Sequence, residues 1–343
     1  MQAFGNRRAG SSRRRRAAAA VAAGVVLASA LGGPPTASAA TARPALDAGT
    51  GVTALSTGSL VLLPQRSFTV TGTVAGGTPG AAIRLRLSGP VEPASARAIT
   101  LSAGGAFSAR LRTTRSGAIS IAAGVGRGPA GAPLRATVIP TAAQPGDAGL
   151  QVRFLTERLR DLGYAVRVTD GYDTNTARAV LTFRKVNEMQ RIGTASPLVF
   201  DRLAHGRGGY QVRFPGHGRH VEGDLTHQVL ALVGADGRLA GVYHTSTGRP
   251  GFRTPTGSFR FWRQELGENS RGMVDSSFFS FTQAKTKTRP YRPACAIHGY
   301  FVVPTIPRSH CCFRVDNADA RQIRLWIHIG NRFDIFGKQN GLP

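Results

Sequence analysis

The sequence predicts a multidomain, mainly β protein: an N-terminal β-sandwich-like module, a small three-helix bundle and a C-terminal β-sandwich domain. Three observations carry this. Between Ser67 and Ile139 apolar and polar side chains alternate at period two, with Gly-rich breaks between the runs. At Gly146 the period switches to helical spacing, and beyond residue 220 strand patterns return. A chain of 343 residues is also too long for one small domain.

The first element predicted is an export signal. Arg7, Arg8 and Arg13 to Arg16 precede an apolar run over residues 17–31, then Gly32-Gly33-Pro34-Pro35 and the small-residue site Ala37-Ser38-Ala39. This is the pattern of a secretory signal peptide over residues 1–39, with cleavage expected after Ala39. The apolar run falls short of the about 20 residues a spanning helix needs, so no membrane span is expected once the signal is removed. A secreted, extracytoplasmic protein follows. The formal charge of +26 invites a polyanion. However, Arg84, Arg86, Arg110 and Arg112 are scattered singly among strand-like alternations, without aromatic interleaving. That argues against nucleic acid as the partner and favours an anionic cell envelope.

Residues 40–60, rich in Ala, Thr and Gly, read as a linker. The module over 61–140 follows, its strands marked by Phe68 and Val70, Ile83 to Leu87, Ile99 and Leu101, Phe107 and Leu111, Ile119 and Ile121, and Val138. It holds no His and no Cys, so a spacer or interaction role is expected. In residues 146–205, Val152, Leu155, Leu159 and Leu162 share one face of a helix that stops at Gly163. Asp173 or Thr174 caps a second helix carrying Ala179, Val180, Phe183 and Val186. Ser196-Pro197 opens a third with Leu198, Phe200 and Leu203. Residues 206–220 read as a second linker, with His217 and His220 expected in solvent. Strands resume at His227 to Val233 and turn at Asp236-Gly237, within a domain over 221–337.

The chemistry gathers between His298 and Arg314: His298-Gly299-Tyr300, Val303-Pro304, then Ser309-His310-Cys311-Cys312-Phe313-Arg314. Two of the chain's three cysteines and two of its eight histidines lie here. A thiol beside an imidazole can attack a carbonyl once the imidazole has taken its proton. On the residues alone, His298 and His310 share the base role evenly. With three cysteines at most one disulfide can form, and one thiol is left over. No cofactor and no metal are called for.

His-Gly-Tyr, a Pro-containing loop and Ser-His-x-Cys-x-Arg resemble the active-site signature of the L,D-transpeptidase (YkuD) family. Ser246-Thr247-Gly248 and Thr254-Pro255-Thr256-Gly257-Ser258-Phe259 resemble its upstream core. The resemblance implies an L,D-transpeptidase-like catalytic domain in which Cys312 attacks a peptidoglycan stem tetrapeptide before its terminal D-Ala. D-Ala leaves, a thioester forms, and an amine of a neighbouring stem resolves it into a cross-link. It implies His298 as the base and His310 as a buttress of the catalytic group. Gly299, Ser309, Cys311, Arg314 and Tyr300 are the candidate substrate- and oxyanion-binding residues, with backbone N–H groups from His310 to Cys312 as oxyanion donors. Arg314 either steadies the turn, meets a substrate carboxylate or pairs with Asp316.

The family has Gly where this chain has Cys311. If that position needs a positive φ, a non-Gly residue costs on the order of 1 kcal/mol. Cys311 could also bridge to Cys312, and either of them to Cys295; any bridge through Cys312 would silence it. Residues 146–205 are similar to peptidoglycan-binding domain 1, with Arg184 where that family usually has Gln. Peptidoglycan, both stem peptide and glycan, is therefore the expected partner. Two other outcomes stay open: a non-catalytic wall-binding protein with a degenerate site, and an L,D-carboxypeptidase in which water resolves the thioester.

Overall fold

The computed structural model describes residues 43–94, 98–281 and 294–339. The expected signal peptide, residues 1–39, lies outside the described residues. The N-terminal alternation becomes strands β1 (Ala45–Ala48), β2 (Thr53–Ala54), β3 (Leu60–Leu62), β4 (Ser67–Thr73) and β5 (Ala82–Ser88). It continues through β6 (Val91–Pro93), β7 (Ile99–Thr100), β8 (Ala106–Thr113), β9 (Gly117–Val125) and β10 (Leu134–Val138). They form one sheet in the order β1-β4-β8-β6 and another in the order β2-β3-β10-β9-β5-β7. In β8, Phe107, Ala109 and Leu111 are buried while Ser108, Arg110 and Arg112 are exposed, the alternation a half-buried strand requires. Phe68, Val70 and Leu111 of the first sheet meet Ile119, Ile121 and Val138 of the second in one buried cluster.

The expected linker over 40–60 is corrected here. It contains β1, which pairs along its length with β4, and β2, which pairs with β3. Only Leu46 of β1 is partly buried, so this edge strand carries no alternation to read.

The helical module is α1 (Leu150–Asp161), α2 (Thr174–Val186) and α3 (Pro197–Ala204). Val152, Leu155 and Leu159 face inward from α1, and Gly163 turns the chain at φ 86°. Asp173 caps α2, its carboxylate accepting the Thr176 N–H at 2.8 Å. Ser196 precedes Pro197 at the start of α3 but makes no side-chain cap bond.

A single buried cluster runs on from here into both neighbours. It joins Leu55, Val61 and Leu63 of the first module, Leu155, Val180 and Phe183 of the helices, and Val229, Ala231 and Val242 of the C-terminal domain. Buried Glu157 of α1 accepts the Ser56 N–H at 3.1 and 3.2 Å. After α1, Gly163 to Ala165 lie against the next domain: Val242 N donates to Gly163 O at 2.9 Å, and Ala165 N donates to Val242 O at 3.1 Å.

The C-terminal domain comprises β11 (His220–Asp224), β12 (Val229–Val233), β13 (Leu239–His244), β14 (Gly257–Arg260) and β15 (Arg263–Gln264). Then come β16 (Val274–Phe281), β17 (Ala294–Tyr300), β18 (Phe313–Asp316), α4 (Asn317–Trp326) and β19 (Arg332–Phe336). One sheet runs β13-β12-β11-β19-β14 and the other β15-β16-β17-β18. Their faces meet closely enough that a Cβ at Gly223 would lie 2.5 Å from the Phe313 ring. Helix α4 covers β17, and a Cβ at Gly299 would stand 2.7 Å from Asn317 Oδ1 and 2.8 Å from Ala320 Cβ. Glycine at 299 is thus a packing requirement between strand and helix. The chain is mainly β with four helices among the described residues, none of them long and apolar enough to cross a membrane.

The expected second linker, 206–220, is also corrected. Tyr210 is buried and donates its hydroxyl to Glu222 Oε2 at 2.9 Å, and Arg213 N and Phe214 N donate to the same carboxylate. His220 is fully buried, with Nε2 3.2 Å from Glu222 Oε1, and His217 Nδ1 lies 2.8 Å from Asp334 Oδ2. His220 is thus shut off from solvent, and His217 is half-buried. Their acidic partners come from β11 and β19, which a Gly- and Arg-rich local stretch does not announce.

Candidate active site

The parallel pairing of β17 with β18 brings the two halves of the motif together. Ile297 lies opposite Phe313 and His298 opposite Arg314. The turn entering β18 rests on the segment after β13. Arg308 N and Ser309 N both donate to Thr247 O, at 2.9 and 3.0 Å, and Ser246 and Arg314 exchange backbone bonds at 3.1 and 2.9 Å. Ser246 Oγ donates to Ile306 O at 2.7 Å, Thr254 Oγ1 to Cys311 O at 3.0 Å, and Ser309 Oγ to Cys312 O at 2.6 Å. The Ser-Thr-Gly and Thr-Pro-Thr-Gly segments are therefore the bed and clamp of this turn. Of these, Thr254 is legible in the sequence only as the first residue of its motif; its bond to Cys311 O is what the fold adds.

The cysteines divide cleanly. Cys295 of β17 and Cys311 are joined in a disulfide, and Cys312 is the free thiol. Cys311 has φ 103°, the left-handed region that favours glycine. The bridge closes a loop of 16 residues' separation, which stabilises by about 3 kcal/mol in the chain-entropy account and outweighs a backbone cost of about 1 kcal/mol.

Cys312 Sγ accepts the Ala296 N–H at 3.4 Å, two residues along β17 from His298. Burial pushes this thiol's pKa up, against the pull of the Ala296 N–H and the Arg314 charge. His298 is buried, with Nδ1 2.8 Å from Gly299 O. A carbonyl only accepts, so Nδ1 carries the proton and Nε2 is the basic nitrogen. Burial lowers the His298 pKa to about 4, opposed by the Gly299 bond and assisted by Arg314. At rest the thiol and the imidazole are thus each neutral.

Arg314 lies over the Tyr300 ring, 4.2 Å from its centroid, and its buried Nε has no hydrogen-bond partner among the described residues. The alternative of a pair with Asp316 is not realised: Asp316 lies 3.4 Å from Arg178 of α2 instead. Tyr300 also stands edge-on to His298, at 5.9 Å between centroids. His310 points outward, its Nε2 accepting from Arg249 at 2.9 Å and its ring edge-on to Phe252 at 4.5 Å. The structure thus gathers Cys312, His298, Gly299, Tyr300 and Arg314 along β17 and β18, with Ser309 and Cys311 in the turn and His310 on its outer side. Among the described residues no group of His, Cys, Asp or Glu is arranged to hold a metal ion.

The low pKa of His298 has a consequence for stability. An unfolded histidine takes its proton near pH 6.5, whereas folded His298 does so only near pH 4. Between these values the unfolded chain binds the extra proton, so stability falls as pH drops. From pH 7 to pH 5 this single group should remove about 2 kcal/mol. Thermal unfolding at the two pH values should show a larger fall for the native chain than for His298→Gln; equal falls would show that His298 is not held neutral.

Residues 218–335 match the family model of the L,D-transpeptidase catalytic domain, YkuD. Among solved structures, the chain is similar to the L,D-transpeptidase (residues 123–326) of Xylanimonas cellulosilytica DSM 15894. The two are 29% identical, with 58% of this chain and 98% of that one covered and a TM-score of 0.50. An L,D-transpeptidase from Stackebrandtia nassauensis is also matched, at 20% identity over 59% of this chain and 98% of that one, with a TM-score of 0.34. No curated protein matches the chain.

Proposed function

We propose, from the L,D-transpeptidase catalytic domain matched over residues 218–335, that the chain is an exported, cysteine-dependent L,D-transpeptidase that cross-links peptidoglycan stem peptides. The observation that carries this is the division of the cysteines. The bridge between Cys295 and Cys311 leaves Cys312 as the free thiol on the edge of the His298 strand.

Two neutral partners favour transfer of the thiol proton to His298 Nε2 as Cys312 attacks, rather than a standing ion pair. The tetrahedral oxyanion takes its hydrogen bonds from backbone N–H groups of the turn 310–312. His298 returns the proton to the departing D-Ala nitrogen, which leaves the thioester on Cys312. A neighbouring stem amine then loses its proton to His298 and takes the acyl group. Arg314, a cation with no carboxylate within ion-pair reach among the described residues, is suited to a stem-peptide carboxylate. Residues 1–39 direct export, and the helical module over 146–205 adds contact with the wall.

The reading is tested by supplying a stem tetrapeptide donor with and without an amine acceptor and weighing the products. A cross-linked peptide minus D-Ala is expected. A tripeptide alone would make the enzyme an L,D-carboxypeptidase. Neither product would leave a wall-binding protein.

A further inference from the structure

Helix α2 meets the catalytic domain through polar groups as well as apolar ones, and these converge on the turn that carries Cys312. Lys185, at the end of α2, is buried, yet its Nζ is fully satisfied. It donates to Gln228 O at 2.5 Å and to Thr245 O at 3.0 Å, and lies 2.8 Å from His244 Nδ1. His244 Nε2 lies 2.9 Å from Val303 O. Because that carbonyl only accepts, Nε2 carries the imidazole proton and Nδ1 is free to accept from Lys185. Burial pushes the pKa of Lys185 down, and burial together with the Lys185 charge keeps His244 neutral, which is the state this chain of bonds needs.

Two further cations from the same module reach the same loop region. Arg191 Nη1 donates to Thr305 O at 2.7 Å. Arg178, seven residues before Lys185 and so on the same face of α2, lies 3.4 Å from Asp316 and 3.3 Å from Asp319. The segment 303–305 is thus held from the helical module, Thr245, just before the Ser246-Thr247-Gly248 bed, is held by Lys185, and the exit of β18 is held by Arg178. Between these points lie Arg308 and Ser309, which hang from Thr247 O.

We propose that α2 and the segment that follows it are a working part of the reaction centre: Lys185 of α2, acting through His244, and Arg191 beyond its end are positioning residues that hold the loop 303–309 and so set the Cys312 turn. This rests on the reading of Cys312 as the nucleophile. It gives the helical module a task inside the protein in addition to any contact with the wall. Misplacement of a reacting group by a fraction of an ångström is felt as a lost near-attack geometry, while binding of the substrate changes little.

The test uses the full chain and imipenem as the acylating probe, with rates read by intact mass at several concentrations. Lys185→Met and His244→Leu should each lower the maximal acylation rate by about tenfold while the half-saturating concentration stays within about twofold. The double variant should be no slower than the worse single one, because both break one path. His244→Gln keeps an acceptor for Lys185 and a donor for Val303 O, so it should retain at least half the native rate; a merely space-filling role would not be rescued this way. Arg191→Ala, at a less buried position, should lower the rate by about threefold. Native rates in folded Lys185→Met and Arg191→Ala, or a His244→Gln as slow as His244→Leu, would overturn the proposal. If Lys185→Met does not fold, Arg191→Ala decides. If the native chain itself takes no imipenem at Cys312, the nucleophile reading has failed. Amide exchange at Arg308 and Ser309 then decides the positioning role: faster exchange in Arg191→Ala upholds it, and unchanged exchange rejects it.

Discussion

Cys312→Ala protein should gain no mass from a carbapenem, while the native chain gains one adduct without prior reduction. The expectation follows from the free thiol: the other two cysteines are tied to each other, so among the described residues Cys312 is the free thiol, the group proposed above as the nucleophile. His298→Ala should retain the adduct but form it about 10²–10⁴-fold more slowly, the usual worth of a positioned general base. His310→Ala should lose far less, because its ring faces Arg249 and Phe252 on the outer side of the turn. Intact-mass kinetics on the three variants check this. A slower His310→Ala than His298→Ala would show that the two roles are exchanged.

The second large effect belongs to the disulfide. Cys295→Ala leaves Cys311 and Cys312 as adjacent thiols, and with oxidised glutathione these should close on each other and block carbapenem labelling. Dithiothreitol should restore it. Cys311→Gly removes the competing thiol and should label under both conditions. Both variants lose the loop constraint, worth about 3 kcal/mol. Cys311→Gly also relieves the φ of 103°, so it should be the more stable of the two by about 1 kcal/mol. Denaturant unfolding measures that difference. Undiminished labelling of oxidised Cys295→Ala would mean the two sulfurs do not meet, and that the bridge protects nothing.

Much of the site was legible because its parts are short and chemically marked. His298, Cys312 and the Ser-Thr-Gly segment could be read from residue type and order, and the switch of period at Gly146 located the helices. The cysteine pairing was not legible, since three residues allow several partners until β17 and the turn are set side by side. The strand β11 escaped notice because every one of its residues is buried, polar ones included, and so it shows no alternation. Lys185 was invisible for a related reason. A lysine near the end of a helix reads as a solvated face, and only the apposition of α2 with the end of β13 turns it inward. Helix α4 was missed although Asp316 caps it, its carboxylate accepting the Ala318 N–H at 3.0 Å.

The apolar cluster that joins Leu55, Phe183 and Val242 bears on how such a chain can change over time. Modules joined by bare tethers can be shuffled as cassettes, each carrying its own core to a new neighbour. Here a recombination that replaced the helices would strip cover from Val229, Ala231 and Val242, leave the Ser56 N–H without the Glu157 carboxylate, and free the edge of β13 that Gly163 to Ala165 now occupy. The helices and the sheets they cover are thus constrained to be inherited together, and drift at one side of that boundary must be answered on the other.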